Sequence, residues 1–261
     1  MILIGSIEKK SIKSEVVSLV LIILLALSIR TFGIELFFVP TTSMKANILK
    51  NEYILSTKYS YGFSKHSLPF SPGLFKGRFF PSLPNRGDII IMHPPHDMKT
   101  RYIKRLIGLP GEKIEIKQDV TYINDTPIER AKIGTYLDED NQEYIKYKED
   151  ISNNLSFYSY KIKEIDQLID TNHSNYGPYT IPEDHFFFMG DNRDESGDSR
   201  YQLGVVPFEN LIAKAQFILL STKERLWDKN LGILDQITRV WTWLSSIRYN
   251  RLFSNMYTTD K

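Results

Sequence analysis

Three hydrophobic patterns succeed one another along the chain. Residues 16–29 read VVSLVLIILLALSI, fourteen positions without a charge. With Arg30 and Glu35 accommodated near an interface, the apolar stretch continues to Val39. A helix needs about 20 residues to cross a bilayer core, and a long Arg side chain near its end can reach the headgroups. The pattern predicts a transmembrane anchor over 14–37. A cleaved signal peptide or a buried core helix has similar composition. A cleavage site, however, needs small residues soon after the apolar run, and SIRTFGIELFF offers large and charged ones. Lys9, Lys10 and Lys13 precede the run, so the positive-inside rule puts residues 1–13 in the cytoplasm and 38–261 across the membrane.

After Pro40 the helical pattern stops, and short apolar runs separated by turn formers predict a mainly β fold of antiparallel sheets. Strands are expected at 53–57, 88–92, 102–107, 113–117, 121–124, 185–189 and 213–219. Asn85-Arg86-Gly87-Asp88, Leu109-Pro110-Gly111-Glu112 and Asn124-Asp125-Thr126-Pro127 carry the residues tight turns select, since Gly supplies positive φ and Pro fixes φ at the first corner. Residues 59–86, rich in Ser, Gly, Phe and Pro, read as a long ordered loop or extended arm. Residues 130–180, polar with several tyrosines, read as an inserted subdomain or a variable excursion.

The third pattern is helical again. Over 231–257, Leu234, Ile237, Val240, Trp241, Leu244, Ile247 and Leu252 recur at helical spacings with Arg239, Arg248 and Arg251 among them. Such an amphipathic helix either lies on a membrane surface or packs against the body of the protein. There is no internal repeat and no low-complexity tract.

Composition narrows the chemistry. The 261 residues are 42% hydrophobic and 25% charged, ordinary for a folded chain, and 33 basic against 31 acidic residues leave a net charge of +2. No global field draws the protein to nucleic acid. Cysteine is absent, which removes a disulfide framework, a thiolate metal site and a cysteine nucleophile. His93 and His96 stand in HPPH, where two prolines forbid a helix that would bring both rings to one face, and the stretch reads as a solvated loop. No metal or cofactor is expected.

Ser43, in SMKANIL just beyond the anchor, has no His or Asp near it in sequence, so a base would have to come from elsewhere. In YIKRLIGLPGE (102–112) strand periodicity puts Tyr102, Lys104 and Leu106 on one face and Ile103, Arg105 and Ile107 on the other. Both faces carry a cation among apolar side chains, so if either packs on a core, one cation is buried or paired. A buried lysine loses pKa to desolvation, and a neutral amine near pH 8 serves as the base that histidine supplies in a triad. FFFMGDNRDESGDSR (186–200) ends a hydrophobic strand in a polar run. Asp191, Asp194 and Asp198 suggest a calcium loop, but Arg193 and Arg200 among them fit internal ion pairs better.

Together VPTTSM (39–44), RGDIII (86–91), YIKRLIGLPGE (102–112) and GDNRDESGDSR (190–200), behind an N-terminal anchor, resemble bacterial type I signal peptidases, membrane-anchored Ser/Lys proteases. The resemblance implies Ser43 as nucleophile, Lys104 as general base, and an oxyanion hole from the Thr41 hydroxyl and the Ser43 backbone N–H. It implies that Ser196 orients the lysine amine, with Asp191 paired to Arg105 and Asp198 to Arg200. It implies small substrate pockets walled by Phe37, Val39, Met44, Ile48, Tyr102 and Ile103, accepting alanine-sized side chains. It further implies signal peptides of exported preproteins as substrates, an acyl-enzyme, an inserted β subdomain within 118–182, and an apolar face that dips into the bilayer, to which Phe63, Phe70, Phe75, Phe79 and Phe80 contribute. The location implied is the bacterial inner membrane, catalytic domain periplasmic, near the export translocon. Two departures stand out: Ala46, Asn47 and Ile48 replace the usual Pro-Thr-Leu, and Glu112 replaces Asp in Pro-Gly-Asp. Lys45 is read as surface. A self-cleaving Ser/Lys repressor-like protease and an inactive membrane-tethered binding module are the rival readings.

Overall fold

The computed structural model describes residues 12–68, 75–152, 155–166, 174–226 and 231–257. Helix α1 (Ile12–Ser28) runs into a π-helical turn, Ile29–Gly33, and then without a break into strand β1 (Ile34–Phe38). Lys13–Gly33 is long and apolar enough to cross a membrane. The helix stops earlier than the 14–37 expectation because 34–38 alternates rather than rotates. Phe37 is buried, Ile34 and Leu36 are exposed, and Glu35 sits beneath Lys58 and Arg101 at 3.0 and 2.9 Å. High apolar content concealed that period of two.

In chain order there follow β2 (Glu52–Thr57), β3 (Phe63–Ser64), β4 (Arg78–Phe79), β5 (Ile89–Met92), β6 (Tyr102–Gly108), β7 (Lys113–Lys117), β8 (Val120–Ile123), β9 (Thr126–Pro127) and β10 (Glu129–Leu137). Then come β11 (Glu143–Ser152), β12 (Leu155–Ile162), α2 (Lys163–Asp166), β13 (Tyr176–Thr180), β14 (His185–Met189), β15 (Val206–Pro207), β16 (Leu211–Ser221), α3 (Ile233–Ser246) and β17 (Ser254–Asn255). The fold is mainly β and its strand pairs are antiparallel. The main sheet runs β1-β2-β16-β5-β6-β14-β15, with β17 also on β16.

Apolar side chains cover both faces at its centre. Ile89 and Ile91 join Ile103, Met44 and Ile48 in one core, while Ile90 and Met92 join Leu106, Phe186 and Phe188 in another. This is why Ile89–Met92 reads as a continuous apolar run rather than an alternation. Lys104 and Arg105 of β6 are therefore both buried, although they point to opposite faces.

Between β6 and β14 the chain builds two further sheets, β13-β7-β8-β9 and the meander β10-β11-β12. The segment 118–182 falls within them, together with β7. β10 is exposed along nearly its whole length, so its polar sequence fits a strand with little to bury. The described residues of 59–86 hold only short elements, with Phe63 paired to Phe79 across β3 and β4. The Phe63 ring stands 5.2 Å from Phe32 at the foot of α1. Phe79 and Phe80 are exposed, Phe63 and Phe75 half-buried, and Phe70 lies outside the described residues. Gly62 has φ +80°, and a Cβ there would meet the Phe80 carbonyl oxygen at 2.3 Å, so the arm needs glycine.

The tail is not helical over all of 231–257. α3 ends at Ser246, Ile247 bridges Thr222, and β17 adds to β16 with Met256 in the core. Past Ser246 the apolar residues answer to the sheet, not to a helix face.

Candidate active site

Ser43 sits in the loop joining β1 to β2. The loop is closed by Val39 N–H to the Glu52 carbonyl and Asn51 N–H to the Val39 carbonyl, both 2.9 Å. Val39, Met44 and Ile48 plug into the core below it, which fixes the backbone around Ser43. Ser43 itself is nearly buried.

Lys104 reaches the same point from β6. Its Nζ is 2.6 Å from Ser43 Oγ and donates to the Ile103 carbonyl at 3.1 Å. Lys104 is 4% exposed, and among the described residues no carboxylate lies within ion-pairing distance of its amine. Burial pulls its pKa down to about 8, with the Asp198 and Asp191 charges working the other way and Arg200 assisting. Near neutral pH such an amine passes readily between charged and neutral forms. In the neutral form its lone pair can take the Ser43 proton while one N–H stays on the Ile103 carbonyl.

Arg105, next in sequence, points to the other face of β6 and meets Asp191. Nε to Oδ1 is 2.8 Å and a terminal nitrogen to Oδ2 is 2.7 Å, with Arg105 also on the Gly87 carbonyl at 3.1 Å and over the Phe157 ring at 4.5 Å. Burial works against the guanidinium, but the Asp191 carboxylate outweighs it and holds the Arg105 pKa above its usual value. Asp198 takes Arg200 in the same forked way, at 2.9 and 2.8 Å, and accepts the Gly190 N–H at 2.9 Å. Burial alone would raise the Asp198 carboxyl; Arg200 brings it below the usual range. Asp194 accepts the Ile162 N–H at 2.8 Å. Each of the three aspartates considered for calcium is thus engaged by protein groups.

Ser196 is buried, and its hydroxyl has no hydrogen-bond partner among the described residues. The amine is tied to the Ile103 carbonyl instead. Ser196 nevertheless belongs to the same cluster: a Cβ on Gly190 would meet Ser196 Oγ at 2.2 Å and the Ser43 carbonyl oxygen at 2.5 Å. Thr41 is exposed on a cleft of about 330 Å3 that Phe37, Ser43, Tyr102, Ile103 and Lys104 also line. Val39, Met44 and Ile48 are not on that wall; they pack behind it.

Several site contacts escape sequence reasoning. Asn47, one of the departures from the resemblance, donates to Asp191 Oδ2 at 2.7 Å and to the Tyr158 carbonyl at 2.6 Å, joining the Ser43 loop to the buried pair and to β12. Asn192 N–H donates to the Ser43 carbonyl and its side-chain amide to the Thr42 carbonyl, both at 3.2 Å. Glu52, fully buried, accepts from Ser221 at 2.8 Å and pairs with Arg251, which also holds the Asn47 carbonyl at 2.9 Å. The only sequence signal for these was the density of Asn and Asp beside the motifs. Two surface readings change. Lys45 pairs with Asp138 and is mostly covered. His93 is buried, its Nδ1–H donating to the Thr100 carbonyl 2.8 Å away, with its ring 4.8 Å from His66, while His96 is exposed.

A family model described as "Signal peptidase, peptidase S26" matches residues 12–220. Curated relatives named Signal peptidase I are similar nearly end to end. The protein from Rickettsia typhi is 51% identical over 255 residues, 97% of each chain. That from Rickettsia massiliae is 52% identical over 254 residues, 96% of each. A crystal structure of a signal peptidase I from Enterococcus faecalis matches at 26% identity and a TM-score of 0.32, over 51% of this chain and 97% of that one.

Proposed function

The chain belongs to the signal peptidase family, peptidase S26, and is a serine endopeptidase; from that premise we propose that it removes signal peptides from exported preproteins by a Ser43/Lys104 dyad. The observation that carries the reading is the 2.6 Å approach of the Lys104 amine to the Ser43 hydroxyl in a buried setting, without a carboxylate partner among the described residues. Neutral Lys104 takes the Ser43 proton as the oxygen attacks the scissile carbonyl. It then passes that proton to the departing amine, leaving an acyl-enzyme. Water, deprotonated by the same amine, releases the acyl group and regenerates the serine.

The oxyanion that forms in each step is met by the Ser43 backbone N–H and the Thr41 hydroxyl, donors of a kind worth about 3 kcal/mol each. Ser196, a buried hydroxyl without a hydrogen-bond partner among the described residues, is available to steer the amine. The Arg105–Asp191 and Arg200–Asp198 pairs, with Asn47 and Asn192, keep the two strands of the site in register. Phe37, Tyr102 and Ile103 bound the space next to Ser43, with Val39, Met44 and Ile48 packed behind them. Such a wall admits small side chains and supports cleavage after residues of the Ala-x-Ala type.

α1 with its π turn supports a retained anchor, residues 1–13 cytoplasmic and the domain from 38 onward exported, at the bacterial inner membrane and close to the translocon. The exposed Ile34, Leu36 and Phe80 suit contact with the bilayer.

A detergent-micelle assay on a preprotein with the wild type, Ser43→Ala and Lys104→Met tests the dyad. Both variants lose processing while remaining folded; equal cleavage by all three forms overturns the reading.

A further inference from the structure

α3 turns its apolar side outward. At 100° per residue, Leu234, Ile237, Val240, Trp241 and Leu244 form one stripe, and Asp235, Thr238, Thr242 and Ser245 form a polar side next to it. In a helix that completes a soluble core the apolar stripe faces in. Here Leu234 is 79% exposed, Ile237 60%, Trp241 83% and Leu244 64%. The helix is held to the body through a third side. Gln236 is buried, Arg239 donates to the Arg225 carbonyl at 3.4 Å and to Glu224 at 3.2 Å, and the Lys223 N–H bonds the Ser246 carbonyl at 2.8 Å.

The stripe also continues a surface that begins at α1. β1 turns Ile34 and Leu36 outward, and the cross-strand partners Leu55 and Phe217 carry the apolar face across β2 and β16. At the far end of β1, Phe38 lies 5.2 Å from Tyr53 under the Arg225 guanidinium, 4.9 Å from its ring. Arg225 is the residue whose carbonyl receives Arg239 of α3. Arg225 thus links the outer surface of β1, at the end of a helix able to cross a bilayer, to α3.

We propose that α3 lies in the plane of the bilayer surface that α1 enters, with Leu234, Ile237, Trp241 and Leu244 at the boundary of headgroups and acyl chains. This rests on the reading of α1 as a retained anchor and is independent of the Ser43/Lys104 chemistry. Length excludes a second span: 14 residues rise about 21 Å, against a hydrocarbon core of about 30 Å. The polar stripe would also have no water there. Its composition is that of an interfacial helix, with a tryptophan on the apolar side.

The chain contains no cysteine, so single-cysteine variants report one position each. Ile22→Cys in α1, Ile237→Cys and Trp241→Cys on the apolar stripe, and Asp235→Cys and Thr242→Cys on the polar one would be labelled with a polarity-sensitive fluorophore. The full-length enzyme would be reconstituted in phosphatidylethanolamine–phosphatidylglycerol vesicles carrying a lipid-borne quencher. Labels at 237 and 241 shift to the blue and are quenched several-fold more than those at 235 and 242. No lipid quenching at 237 and 241, through exposure to water or cover by protein, overturns the proposal, as does equal quenching at all four. Absence of quenching at 22 removes the anchor reading and the proposal with it. Peptide cleavage in micles by Ile237→Glu/Trp241→Glu, unchanged from wild type, separates either failure from that of the dyad.

Discussion

The amine of Lys104 stands 2.6 Å from the hydroxyl of Ser43, while the next side chain, Arg105, is doubly bonded to Asp191 on the opposite face of the same strand. Two adjacent cations of one β-strand are thus both buried, one paired with a carboxylate and the other with a hydroxyl. That difference underlies the pH dependence.

Preprotein cleavage should follow the neutral fraction of Lys104, rising about tenfold per pH unit on the acid side of about 8 and levelling above it. Stability moves in the same direction. The folded pKa of about 8 lies below the usual 10.5, so between these values the unfolded chain binds more protons and stability increases with pH. The total gain is on the order of 3 kcal/mol, complete by about pH 10.5. Lys104→Met should flatten that portion of the curve, measurable by denaturant unfolding at pH 7.5 and 10.5.

Removing one partner of the Arg105–Asp191 pair leaves a buried, uncompensated charge. Arg105→Met or Asp191→Leu should each cost about 3–5 kcal/mol, whereas the double change should cost less than the sum. Chemical denaturation of the four forms in micelles gives the coupling directly.

Asn47 donates to both Asp191 and the Tyr158 carbonyl, so Asn47→Ala should cost about 1–3 kcal/mol and lower kcat more than it raises KM, because it loosens the loop that carries Ser43. Asn47→Asp, which puts a second carboxylate against Asp191, should be the worse of the two. A steady-state comparison on one peptide substrate separates them.

Gly190→Ala and Ser196→Ala should both lower kcat, for different reasons. Gly190→Ala drives a methyl into the Ser43 carbonyl and Ser196, and should lower kcat by about 100-fold through misplacement of the nucleophile. Ser196→Ala deletes a buried hydroxyl that has no hydrogen-bond partner among the described residues, so stability should hold or rise slightly, while kcat should fall if the proposed steering of the amine by Ser196 holds. Thermal unfolding run beside the kinetics distinguishes a folding defect from a positioning one.

Much of the fold is written in local periodicity. β6, β7 and β14 fall at or within one residue of where apolar spacing puts them, because their side chains meet a core on at least one face. β10 was not legible: exposed along its length, it has little burial to record in its sequence. The early end of the anchor helix was hidden because both periods in 14–37 are filled by the same large apolar residues. In the site, the period of two in β6 required at least one of Lys104 and Arg105 to be buried or paired, while the choice of Lys104 as the partner of Ser43 came from the family resemblance. The contacts of Asn47, Asn192 and Glu52 were not, since they join segments more than a hundred residues apart through single hydrogen bonds and leave no pattern.

The direct passage from Gly33 into β1 leaves the molecule no slack. The Gly33 carbonyl is bonded to the Lys58 N–H at 3.0 Å and Glu35 is clamped by Lys58 and Arg101. Phe37 on the cleft wall is therefore only about 13 Å of extended chain from the last helical residue. With α1 in the proposed role of anchor, a rigid spacer rather than a leash would set how far the cleft stands from the lipid, and so which bond of a substrate comes within reach of Ser43.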